Sequence, residues 1–116
     1  MTDPVTLSAR DAVLTLDNGK QLAVTLVWQC ETDVYYELTD ETEEQGLSNG
    51  TLYPYVVTVK ACFGGLEGLD VLGGVVVNVD SAADDLATVI QEYDMELSAM
   101  RELSDQLEHL RKEIAL

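Results

Sequence analysis

The chain has 116 residues, 47% of them hydrophobic, with 22 acidic and 6 basic side chains and a formal charge of -16. That length supports one modest core and no second catalytic domain. A surface this acidic repels nucleic-acid phosphate and anionic membranes, which excludes direct binding to either and leaves a basic protein as the partner class that charge permits.

The acidity divides fairly evenly: residues 1–80 hold 13 acids and 3 bases, and residues 81–116 hold 9 acids and 3 bases. The first residues, Met1 to Ser8, include Asp3 and Pro4 and lack the basic start and apolar stretch of a secretory leader. No apolar run approaches the ~18 residues of a membrane span. The expected location is the cytoplasm, or a particle assembled there. Cys30 and Cys62 are too few for a secreted disulfide framework.

In chain order, β-compatible residues from Asp11 to Leu16 lead to Asn18-Gly19, a pair suited to the two positive-φ positions of a type I′ hairpin turn. The return strand, Lys20 to Cys30, alternates, with Leu22, Val24, Leu26, Trp28 and Cys30 on one face, assigned to the core. Val34, Tyr36 and Leu38 mark a short third strand. Thr39 to Gly50 reads as a mobile surface loop carrying Asp40, Glu41, Glu43 and Glu44. Those four carboxylates have the hardness calcium needs, but the Asp-x-Asp-x-Asn-Gly pattern is missing, so the reading is a solvated charge run.

From Leu52 to Phe63 a further strand places Tyr53, Tyr55, Val57, Val59, Ala61 and Phe63 on its apolar face, with Pro54 marking an edge or a beginning. Cys62 falls on the opposite parity, so Cys30 and Cys62 are expected on opposite sheet faces, without a disulfide. The glycine-rich run GGLEGLDVLGG at Gly64–Gly74 lacks any phosphate-loop signature and reads as bends, bulges or close backbone contact in a short hairpin. Val75 to Val79 is a β-branched run entering the final segment.

That segment carries the longest periodic signal. Leu86, Ile90, Tyr93, Leu97, Met100, Leu103, Leu107, Leu110 and Ile114 form one apolar stripe of a helix from Ala82 to Leu116, opened by a capping-box-like Ser81 and Asp84. Such a helix extends ~50 Å, whereas the other residues form a globule only ~30 Å across, so part of it must overhang. Two successive three-residue steps around Met100 rotate the stripe. Leu86, Ile90, Tyr93 and Leu97 are therefore assigned to the chain's own sheet. Met100, Leu103, Leu107, Leu110 and Ile114 are assigned to an intermolecular interface.

The fold class is α+β: a small, mostly antiparallel β-rich domain over residues 1–80, in five or six strands, then a long C-terminal helix over 81–116 that packs on the sheet and oligomerises. His109 lies among charged neighbours on the polar side of the helix, and no nucleophile, zinc or cofactor motif is present. The expectation is a non-enzymatic structural or assembly protein, without metal or cofactor, that forms a homo-oligomer or joins a larger complex, such as a virion. The second reading is an acidic inhibitor that mimics DNA charge toward a basic nucleic-acid-binding protein. It would use Asp40, Glu41, Glu43, Glu44, Asp84, Asp85, Glu92, Asp94 and Glu96.

Overall fold

A computed structural model describes residues 5–33 and 49–114, with the side chain of Ile114 outside the description. Among these residues four strands form one antiparallel sheet in sequence order: β1 (Val5–Thr15), β2 (Gln21–Thr32), β3 (Leu52–Phe63) and β4 (Leu66–Asn78). A 3₁₀ turn, Val79–Ser81, leads into α1 (Ala82–Glu92) and α2 (Met95–Ile114), and both helices lie on the same sheet face. The architecture is α+β as expected, with four strands among the described residues. The proposed strand at Val34–Leu38 and the acidic loop residues Asp40, Glu41, Glu43 and Glu44 lie outside the described residues.

The alternation read from the sequence sets the core. Val24, Leu26 and Cys30 of β2 and Val57, Val59 and Ala61 of β3 are buried, joined by Leu14, Val75 and Val77. The first hairpin forms at Asp17–Gly19, but only Gly19 has positive φ, at 84°. The Leu16 carbonyl accepts the Gly19 N–H at 2.9 Å, and the Leu16 N–H donates to the Lys20 carbonyl at 2.8 Å. This is a three-residue loop with glycine in the left-handed position, not the two-residue type I′ turn. The Asn18 side chain takes the Lys20 N–H at 2.9 Å, which a local Asx contact makes favourable.

The glycines of the run mark a turn, a close backbone contact and a bulge, as expected, but from Leu66 on they lie in one long strand and not in a separate short hairpin. Gly64 and Gly65, at φ 55° and 85°, form the β3–β4 turn. Near Gly73 and Gly74 the register slips, so that Val57 pairs with Leu72 but Tyr55 with Val75. The Gly74 N–H freed by this bulge donates to Asp33 Oδ2 at 2.7 Å. Pro54 sits near the start of β3, an interior strand.

The long helix is not continuous. Tyr93 ends α1, its N–H bonded to the Val89 carbonyl, and Asp94 adopts φ 48° before its own carbonyl accepts the Ser98 N–H to start α2. A left-handed residue after a helix end is the usual stop signal, here occupied by aspartate in place of glycine. The break changes the helix phase. Met95, Ala99 and Leu103 now face the sheet, while Tyr93 and Leu97, assigned to the core by periodicity, are 62% and 50% exposed. Ser81 is not a capping box either: its hydroxyl donates to Asp85 Oδ2 at 2.8 Å and makes no cap contact. Replacing Asp94 by Gly should remove the strain of a non-glycine residue at this angle and raise stability by about 1 kcal/mol, measured by urea denaturation.

Candidate functional site: the outer edge and free end of the second helix

Two contacts seat α2 on the sheet. Gly68 of β4 faces the helix so closely that a Cβ there would run into the Ala99 carbonyl and the Leu103 amide, and would stand 2.9 Å from Leu103 Cβ. Ala99 opposite it is fully buried, so a small-against-small pair brings the helix axis down onto β4. At the other side, Glu96 in the first turn of α2 accepts from two residues far away in sequence. Arg10 Nη2 donates to Glu96 Oε1 at 2.7 Å and Trp28 Nε1 donates to Oε2 at 2.8 Å.

Arg10 lies on the inner face of edge strand β1, paired with Leu26, an inward charge of the kind that discourages edge-to-edge pairing. Its ion pair is half in water, with side chains 53% and 27% exposed, so screening limits its worth. Glu96→Gln should keep a hydrogen bond to Trp28 but lose the charge-assisted pair, at a cost of about 1 kcal/mol in denaturant titrations. The same substitution should red-shift or quench the fluorescence of Trp28 only slightly, since the indole stays half-buried.

Beside this clasp an open groove of about 500 Å³ runs between β1 and α2, with Ala12, Leu14 and Leu26 as floor and Leu97, Met100 and Arg101 as wall. Met100 thus turns sideways into this groove, half-buried, and does not continue toward the helix end. Leu103 is a correction to the interface assigned from sequence. It is 0% exposed in the chain's own core, because the phase change at Asp94 turns it onto Gly68.

Of the other residues assigned to an interface from sequence, Leu107 and Leu110 lie farther along α2, and the side chain of Ile114 lies outside the described residues. Gln106 Nε2 donates to the Glu67 carbonyl at 2.7 Å, beside the β3–β4 turn, so the helix passes the end of those two strands there. Beyond it Leu107 is half-buried, Leu110 is 38% exposed, and every side chain from His109 to Glu113 is exposed. Glu108 is held by Arg111, whose Nη2 and Nε donate to Oε2 at 2.6 and 3.1 Å. The described residues measure 59 × 25 × 23 Å, with a radius of gyration of 17.0 Å, against about 13 Å for a compact domain of about this length.

The helix acids divide between internal and free roles. Asp84, Glu92 and Asp94 are exposed, whereas Asp85 is bonded to Ser81 and Glu96 to Arg10 and Trp28. Both cysteines are free and stand on opposite faces, Cys30 buried beside Val57 and Cys62 opposite Thr25. Burial pushes both thiols up, and at Cys62 nearby Glu67 adds to the rise while Lys60 opposes it. Raised thiols are mostly protonated near neutrality and are poor nucleophiles. Among the described residues no three His, Cys, Asp or Glu side chains converge on a metal-sized site, and no helix is long and apolar enough to cross a membrane.

Sequence reasoning missed the clasp of Arg10, Trp28 and Glu96. The available signal was parity, since Arg10 alternates with Ala12 and Leu14 on the inward face. No protein-family model, curated protein or solved structure matches this chain.

Proposed function

We propose that the protein is a non-enzymatic assembly subunit whose sheet is a platform and whose α2 end is the attachment point to a second copy or to a larger complex. The observation carrying this reading is the apolar stripe that leaves the sheet: Leu103 fully buried, Leu107 half-buried, Leu110 exposed along one helix. Leu107 still packs against the core, but the turn beyond it has no such packing, so exposed Leu110 gains most from docking on another surface. A cytoplasmic particle or virion component fits such a subunit.

The acidic-mimic reading has less support, because Asp85 and Glu96 are engaged inside the chain and only Asp84, Glu92 and Asp94 of its helix acids stand exposed. Light scattering on size-exclusion fractions of the Leu107→Asp/Leu110→Asp variant tests the proposal. The variant should keep the wild-type sheet by circular dichroism and lose the assembly. A folded variant that forms every species the wild type forms rules out the helix end as a contact between copies.

A further inference from the structure

The sheet has a second face, turned away from both helices, on which no helix or further strand of the described residues packs. Ala9, Val27, Lys60 and Leu69 form one row across it, and Thr6, Gln29, Thr58 and Val71 the next. Those two rows contain one charge, Lys60, in a chain with 22 acids and 6 bases among 116 residues. Val71 is 55% exposed, Leu69 is 37% exposed, and Val13 nearby is 59% exposed. The acids of this face stand at its rim, Asp11 and Glu67 closing the row through Thr25 and Cys62, and Glu31 lying toward the end of β2. By contrast α2 alone carries Glu96, Glu102, Asp105, Glu108 and Glu113.

We propose that this face packs against the same face of a second copy, sheet on sheet, as a two-fold dimer. The size fits: four staggered strands of about eleven residues present an area equal to about 19 by 36 Å, so two fully overlapping faces bury up to about 1,400 Å² together, within the range of stable interfaces. Charge fits as well. Two strongly acidic chains approach with least repulsion where each carries few acids. Valine, leucine and threonine on a pleated surface interdigitate at the ~10 Å spacing of packed sheets. This surface is separate from the α2 end and does not rest on the attachment role proposed for it.

The test is the molar mass of the full chain by light scattering across a protein dilution series, for the wild type, Val71→Arg, Thr58→Lys and Leu107→Asp/Leu110→Asp. Val71 and Thr58 are not in the core, so folded variants are expected, and circular dichroism checks this for each. Val71→Arg and Thr58→Lys should each halve the mass of the smallest stable species, while the helix-end variant retains it. Cys62 provides a second readout on the wild type: maleimide labelling should slow as concentration rises, with buried Cys30 as the internal reference. A wild-type monomer at all concentrations overturns the proposal. So does a dimer that survives both face substitutions, and one lost only in the helix-end variant would assign dimerisation to α2 instead.

Discussion

Gly68→Ala should destabilise the protein by about 3 kcal/mol and lower its melting temperature by about 10–15 °C, although it adds one methyl group. The added Cβ has nowhere to go. Its neighbours are the Ala99 carbonyl, the Leu103 amide and Leu103 Cβ, and the first two are helix backbone that no side-chain rotation can move aside. The only response is for α2 to lift from β4, which loosens Met95, Ala99 and Leu103 together, all at most 1% exposed. Close packing makes such a shift costly, since each separated surface loses its dispersion contacts at once. Gly73→Ala is the control. A Cβ there would meet Asp33 Oδ2 at 3.4 Å and Val56 Cγ2 at 3.9 Å, ordinary contact distances, so its melting temperature should stay near that of the wild type. Equal melting curves for the two variants would show that α2 does not sit on Gly68.

Leu103→Asp should unfold the chain, whereas aspartate at exposed Leu110 should not, and at Leu107, half-buried against the core, it should cost only part of the stability. Leu103 is 0% exposed and sits between Gly68 and the buried strand residues. Removing its side chain to alanine costs about 3–4 kcal/mol in transfer and cavity terms. A carboxylate in its place adds the cost of burying a charge with no partner, and the total reaches the whole stability of a small domain, about 5–15 kcal/mol. At Leu110, already 38% exposed, aspartate meets water and the fold is untouched. The contrast is read by circular dichroism at 25 °C and by urea titration of Leu103→Ala, which remains measurable if the aspartate variant is never folded. An equally folded Leu103→Asp would place this residue at an interface, as periodicity alone suggested.

The strands were legible because period-two patterns survive folding: Leu52–Phe63 has the bounds read from sequence, and Cys30 and Cys62 fall on opposite faces as their parity requires. The helix was legible as a helix but not in its phase. Two apolar rows compete across residues 93–103, one through Tyr93, Leu97 and Met100 and the other through Met95, Ala99 and Leu103. Which row faces the sheet depends on the left-handed turn at Asp94 and on the close seat at Gly68, and neither has a periodic signature. Alanine and glycine also carry little hydrophobic weight, so a contact built from their smallness is easy to overlook. The proposed attachment site rests on Leu107 and Leu110, which the spacing places on one stripe. The clasp of Glu96 with Arg10 and Trp28 joins residues 86 and 68 positions apart, beyond any local pattern.

An attachment role for the free end of α2 is tested most directly by the molar mass of the intact chain at low and high salt, by light scattering. A leucine-based assembly of acidic chains should exceed the monomer mass of 12.7 kDa and hold or grow as salt screens their repulsion. A 12.7 kDa species at every concentration and both salt levels, with no mass change on replacing Leu107 and Leu110, would contradict self-assembly through that helix.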